Sequence, residues 1–148
     1  MDKNNRMKIA AAVVVMTIIN IALIYGYQCL TCMLVEDRAQ AQTGAVLLLM
    51  SGGPVMLSQL VFLLIAKGLK WFETTEICQV VLICMILYIA LMFLMFPHIP
   101  VPYALVPSGE MAFGFIQLLT EVFSSVGALV CILISVIILL DRKKRSAG

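Results

Sequence analysis

The chain has 148 residues, 63% hydrophobic and 12% charged, with a mean hydropathy of +1.09. A water-soluble domain carries about 45–50% apolar and about 25% charged residues, so this composition excludes one and points to a single membrane domain over residues 1–148. A net charge of +2, with its cations in short polar stretches, argues against nucleic acid as a partner, and an odd count of five cysteines excludes a small secreted disulfide scaffold.

Met1 to Lys8 is a polar tail carrying Lys3, Arg6 and Lys8. The apolar run after it, residues 9–28, exceeds the 7–15 residues of a signal-peptide core and has no small-x-small cleavage site after it, so it reads as a retained first span. About 20 residues at 1.5 Å each cover a hydrocarbon core of about 30 Å. Residues 29–43 form a first connection with Glu36, Asp37 and Arg38. The second span, residues 44–66, is interrupted at Ser51-Gly52-Gly53-Pro54, where proline removes a donor and crowds the carbonyl of Met50, so a kink is expected. A connection at 67–77 leads to the third span, 78–96. Prolines at 97, 100, 102 and 107 then make residues 97–111 an extended cap, not a helix.

The fourth span, residues 112–140, organises the rest. Gln117, Glu121, Ser124, Ala128, Cys131 and Ser135 recur at steps of three or four and share one helical face, while Leu, Ile, Val and Phe fill the others. A stripe of small, weakly polar residues suits packing against other membrane helices. After it come Asp141 and the basic tail Arg142 to Arg145. Lys and Arg number nine over the N-tail, the second connection and the C-tail, against Arg38 alone in the other connections. The positive-inside rule therefore predicts both termini cytoplasmic and residues 29–43 and 97–111 outward. The expected fold class is all-α: a polytopic, antiparallel four-transmembrane-helix bundle in a plasma (bacterial inner) membrane.

Chemistry has few places to sit. Cys29 and Cys32 form a C-x-x-C pair at the outward boundary, a spacing able to support thiol–disulfide exchange. The string from Cys29 through Cys32 and Glu36-Asp37-Arg38 to Ala39 resembles the first outward loop of the quinone-linked disulfide bond formation protein B family. That resemblance implies four spans with both ends inside, and a redox role for Cys29, Cys32 and Arg38. It covers about a dozen residues; the spacing between Cys32 and Arg38 departs from the family, and residues 97–111 hold no cysteine for the second pair that the family uses. The plainer use of the pair is as two small interfacial residues. With the sole histidine, His98, the two thiols make a weak metal alternative suited to zinc or a softer ion.

Glu121 is an intramembrane carboxylate and a transport candidate by default, but nineteen residues from Leu140 put it about 28 Å away, near the outer interface. Gly52, Gly53 and Pro54 break a helix as discontinuous transporter helices do, although no second break matches, and close packing is the commoner use. Thr17, Asn20, Ser58 and Gln59 are expected to bond between helices. The ten methionines follow no regular spacing and read as packing residues. The basic C-tail can touch anionic lipid but is explained as a topology anchor. No catalytic triad, phosphate loop or H-E-x-x-H is legible, and no cofactor is expected. The expectation is a small non-enzymatic protein acting through helix and loop contacts as an accessory, assembly or immunity-type subunit. Its partners would be the lipid bilayer and a larger membrane protein or a second copy. A thiol-redox protein and a small transporter or channel subunit are the alternatives.

Overall fold

The computed structural model describes residues 3–36, 41–95 and 110–147. They form five helices: α1 (Lys3–Glu36), α2 (Ala41–Leu49), α3 (Gly52–Gly68), α4 (Thr74–Met95) and α5 (Glu110–Ala147), with no strand among the described residues. Three of these, α1, α4 and α5, are long and apolar enough to cross a membrane. With 34 and 38 residues, α1 and α5 are about 51 and 57 Å long, well beyond a hydrocarbon core of about 30 Å.

Helix α1 does not stop where its apolar run does. It continues from Gln28 through Cys29 and Cys32 to Glu36, and α2 starts at Ala41, so the expected connection over 29–43 is mostly helix. Nothing between Cys29 and Glu36 breaks a helix, and Thr31 bonds back to Tyr27 O at 2.9 Å. Asp37 and Arg38, the stretch 96–109 with His98 and its prolines, and the side chains of Glu36 and Glu110 lie outside the described residues.

Where a kink is expected near Pro54, the helix is interrupted a few residues earlier, at Met50 and Ser51. Pro54 cannot donate to Met50 O; Gly53 N–H does so instead, at 2.8 Å. The helix ends at Leu49 and restarts at Gly52, with Ser51 still in right-handed helical conformation (φ −61°, ψ −18°). Pro54 then falls in the first turn of α3, where a missing donor costs nothing. At its far end α3 closes in a Schellman motif: Trp71 N–H reaches Ala66 O at 3.1 Å and Lys70 N–H reaches Lys67 O at 3.2 Å. Lys70 adopts the positive φ (53°) that this motif requires.

The helices form a ring in which α1 adjoins α4, α4 adjoins α5, α5 adjoins α3, and α2 with α3 returns to α1. Asn5 of α1 donates to Glu76 of α4, and Asn20 meets Cys84, so α1 and α4 run in the same direction. Tyr27 OH donates to Leu47 O at 2.9 Å and Asn20 meets Ser58, so α2 and α3 run opposite to α1. Lys8 and Lys70 line one groove, and Arg142 acts electrostatically on Cys78 near the start of α4. The basic stretches thus gather at one end of the bundle. Outside, Val14, Ile18, Leu60, Leu64, Leu129 and Leu133 are among many exposed apolar side chains, as lipid-facing surfaces require.

Candidate functional site: a buried polar seam

A seam of polar side chains crosses the bundle interior. At its centre, Asn20 Nδ2 donates to Cys84 Sγ at 3.5 Å and Thr17 Oγ1 lies 3.5 Å from the same sulfur. The hydroxyl of Ser58 donates to Asn20 Oδ1, and Gln59 Nε2 donates to Ser58 Oγ at 3.2 Å. Thr17, Asn20, Ser58 and Gln59, the residues expected to bond between helices, therefore meet, with Cys84 as the acceptor not read from the sequence. Burial of an amide in hydrocarbon without partners is costly, so this node holds α1, α3 and α4 in one register.

On α5 the expected stripe faces inward. Glu121, Ser124, Ala128, Cys131 and Ser135 are all buried, and Gln117 is half-buried. Gln117 Nε2 donates to Glu121 Oε1 at 3.2 Å, and Ser124 Oγ donates to Glu121 O at 3.2 Å. Glu121, 5% exposed, sits inside the bundle facing Tyr88 of α4. Tyr88 and Thr120, both fully buried, belong to this region and were not read from the sequence. A lone phenol in an apolar run gives no periodic signal; Thr120 does continue the three-and-four spacing of the stripe.

Gly127 is the other missed residue. A Cβ on Gly127 would lie 2.6 Å from Gly52 O and 3.0 Å from Gly52 Cα. Helices α3 and α5 therefore cross backbone to backbone at this glycine pair. The Gly52-Gly53-Pro54 break divides accordingly: Gly52 packs on α5, whereas Gly53 has nothing within 4 Å of where its Cβ would be and faces out with Pro54.

Comparison with protein families, curated proteins and solved structures finds no match. The side chains alone must carry the functional reading.

Cys29 and Cys32 lie within α1, 8% and 1% exposed, and both sulfurs remain thiols. Cys29 is hydrogen-bonded to Tyr25, one turn earlier. His98 lies outside the described residues, and no metal-binding group of three or more His, Cys, Asp or Glu occurs among those described. A buried thiol inside a helix is a poor nucleophile because neither solvent nor a partner disulfide reaches it. Membrane-impermeant maleimide added from either side is therefore expected to leave Cys29 and Cys32 unmodified, with or without reductant, until the protein is unfolded in dodecyl sulfate. Labelling that depends on reductant in the folded protein would instead restore the redox alternative.

Among the described residues, Gln28 Nε2 and Oε1, Ser51 Oγ, Gln59 Oε1 and Ser125 Oγ are buried with no hydrogen-bond partner. By helix rise, Gln28 and Ser51 lie about 10–12 Å from the Asn20–Ser58 node on their own helices, toward the end opposite the basic residues.

Proposed function

We propose that the chain is a non-enzymatic four-span protein of a plasma (bacterial inner) membrane, with both termini cytoplasmic, that binds a transmembrane helix of a larger membrane protein as an accessory, assembly or immunity-type subunit. In this reading α2 and α3 together make the fourth crossing: 17 residues of α3 reach about 26 Å, short of the core, and α2 supplies the rest. The gathering of cations at one end supports the orientation.

The observation that carries the partner reading is a groove on the outer face of α1 and the α2–α3 break. It encloses about 610 Å³ and is bordered by Met16, Leu23 and Tyr27 on one side and by Met50, Gly53 and Pro54 on the other. Its floor includes the bare Cα of Gly53. Within lipid there is no hydrophobic drive to cover an apolar groove, so association depends on close backbone approach, and an outward-facing glycine provides that. A partner helix with a small residue at the crossing fits there. A second copy of this chain is the competing occupant.

A Cβ at position 53 meets nothing within 4 Å among the described residues, so Gly53→Ile projects its bulk into the groove. Purified in mild detergent, the parent chain is expected to bring down a larger membrane protein in fixed stoichiometry, and Gly53→Ile to lose it while keeping the same unfolding midpoint. Retention of the partner by Gly53→Ile, or recovery of the chain alone, sinks the reading; recovery of a homodimer reassigns the groove to a second copy.

A transporter or channel subunit is favoured by a different observation, the burial of Glu121 beside Tyr88 with unpartnered polar groups nearby. It requires flux from the protein alone in liposomes that Glu121→Gln abolishes.

A further inference from the structure

The hydrogen bonds of the central node run in one direction and stop at Gln59. Asn20 uses its amide nitrogen on Cys84 Sγ and needs a donor at Oδ1, which Ser58 supplies. Ser58 has one hydrogen, shared between Asn20 Oδ1 and Val55 O, so toward Gln59 its oxygen can only accept, from Nε2 at 3.2 Å. Exchanging the amide oxygen and nitrogen of Gln59 brings no relief, because Ser58 has no second hydrogen to give. Gln59 Oε1 is left without a donor among the described residues, on a side chain only 5% exposed. A dry, unmet amide acceptor is costly, and an apolar side chain of like size would avoid that cost.

Gln59 stands in the wall of a slot of about 380 Å³ between α3, α4 and α5. Ser135 contributes a hydroxyl to the same wall, and the rest is hydrocarbon and sulfur, with Leu63, Val81 and Ile134 among it. Along α5 the slot extends from Cys131 to Ile138, about 10 Å by helix rise. Leu60 and Ile134 on its walls are each 51% exposed, so it opens toward the surrounding lipid. Sites for small molecules have this make-up: about 300–1,000 Å³, mostly apolar, with a few polar groups that fix orientation. At about 30 Å³ each, the slot holds roughly a dozen non-hydrogen atoms.

The chemistry of the wall selects the occupant. Water would gain at most Gln59 and Ser135 as side-chain partners and leave the apolar length unfilled. A plain hydrocarbon chain fills the slot but leaves Gln59 Oε1 unmet. An alcohol does both: its body covers the apolar wall, and its hydroxyl donates to Gln59 Oε1 while accepting from Ser135. We propose that the slot binds a lipophilic alcohol dissolved in the bilayer, with its hydroxyl hydrogen on Gln59 Oε1. This goes beyond the partner reading, needs only a bundle embedded in lipid, and does not involve the groove at Gly53.

The test compares a donor with its blocked twin. The full chain in phosphatidylcholine nanodiscs is irradiated with a decanol carrying a diazirine in its chain, or with the methyl ether of the same molecule, which has no hydrogen to donate. Labelled positions are read by peptide mass spectrometry. Val81 is 7% exposed, so label there reports a molecule in the slot and not contact with bulk lipid. The alcohol is expected to label Val81 about fivefold more than the ether, the margin of one hydrogen bond, and excess 1-decanol but not decane should compete. Gln59→Leu should bring the two probes to equal labelling. Because that variant also loses the bond to Ser58, Ile134→Trp provides a second arm: it fills the slot, leaves the node intact and should abolish labelling of Val81 by both probes. Equal labelling of the parent by alcohol and ether would reduce the slot to an ordinary lipid-facing groove and overturn the site. An alcohol preference that survives Gln59→Leu, or labelling of Val81 undiminished by Ile134→Trp, would overturn it as well.

Discussion

Gly127→Val is expected to cost about 3 kcal/mol of bundle stability, near the upper end of what overpacking a close contact usually costs. The first atom of any side chain at Gly127 would sit 2.6 Å from the backbone oxygen of Gly52. A backbone atom cannot rotate away, so α3 and α5 must separate along the crossing. Alanine there regains about 0.8–1 kcal/mol of helix propensity over glycine, which partly offsets the clash, so Gly127→Ala should be milder. At Gly52 the corresponding nearest approach is 3.0 Å, to Phe123 O, and at Gly53 there is none within 4 Å. The expected order of destabilisation is therefore Gly127→Val, Gly127→Ala, Gly52→Ala and last Gly53→Ala. Reversible unfolding in mixed micelles measures it. An unchanged midpoint for Gly127→Val would mean that α3 and α5 do not cross at this pair.

Truncating Tyr88 is expected to have a comparable effect for the opposite reason. Its ring is fully buried in the cluster that also holds Ile24, Val55, Cys84, Met85 and Ala128. Removing a buried aromatic ring from a packed core costs about 3–5 kcal/mol in water-soluble proteins. In a bilayer the transfer share of that figure shrinks because the unpacked side chain meets lipid, while the lost dispersion contacts remain. Tyr88→Ala should therefore fall near the low end, about 3 kcal/mol. Tyr88→Phe separates packing from chemistry. The buried hydroxyl faces Ser124, whose oxygen is placed to accept from it, and Glu121, so its removal should cost only about 0.5–1.5 kcal/mol. If Tyr88→Phe cost as much as Tyr88→Ala, the phenol would be engaged with the Glu121 region, and the transporter reading would gain ground over the accessory one.

The inward stripe of α5 was legible because helical geometry and membrane chemistry repeat the same signal. Every third or fourth residue from Glu121 to Ser135 is small or weakly polar, and those positions are buried. The same geometry made Asn20, Thr17, Ser58 and Gln59 plausible interhelical bonders before their partners were known. Helix lengths were not legible in the same way. Hydropathy marks where lipid ends, but a helix ends where backbone bonding is interrupted, and α1 continues eight residues past Gln28 to Glu36. That extension moves Cys29 and Cys32 from the start of an expected connection at the outward boundary into a packed helix face and changes what chemistry they can perform.

Gly127 shows a second kind of gap. It stands beside Ala128 on the stripe, and its neighbours Ser124 and Cys131 were both singled out, yet a glycine in an apolar run looks like a small packing residue and nothing more. Its importance lies in Gly52, 75 positions away in the chain, whose oxygen occupies the space a side chain would need. The break at Ser51 is an intermediate case: proline announced a disturbance, and the backbone placed it at the carbonyl four residues earlier, where the lost bond would have been.

Composition and periodicity by themselves determined that this chain is helical, that it holds helices apolar enough to cross a membrane, and which face of α5 turns inward. Those properties depend on residue type and on spacing within a single helix. Tertiary structure alone decided which of two adjacent glycines packs on α5 and that Glu121 lies inside the bundle facing Tyr88. Each of these depends on an atom contributed by a distant segment, and the distance between two helices is not written in either one.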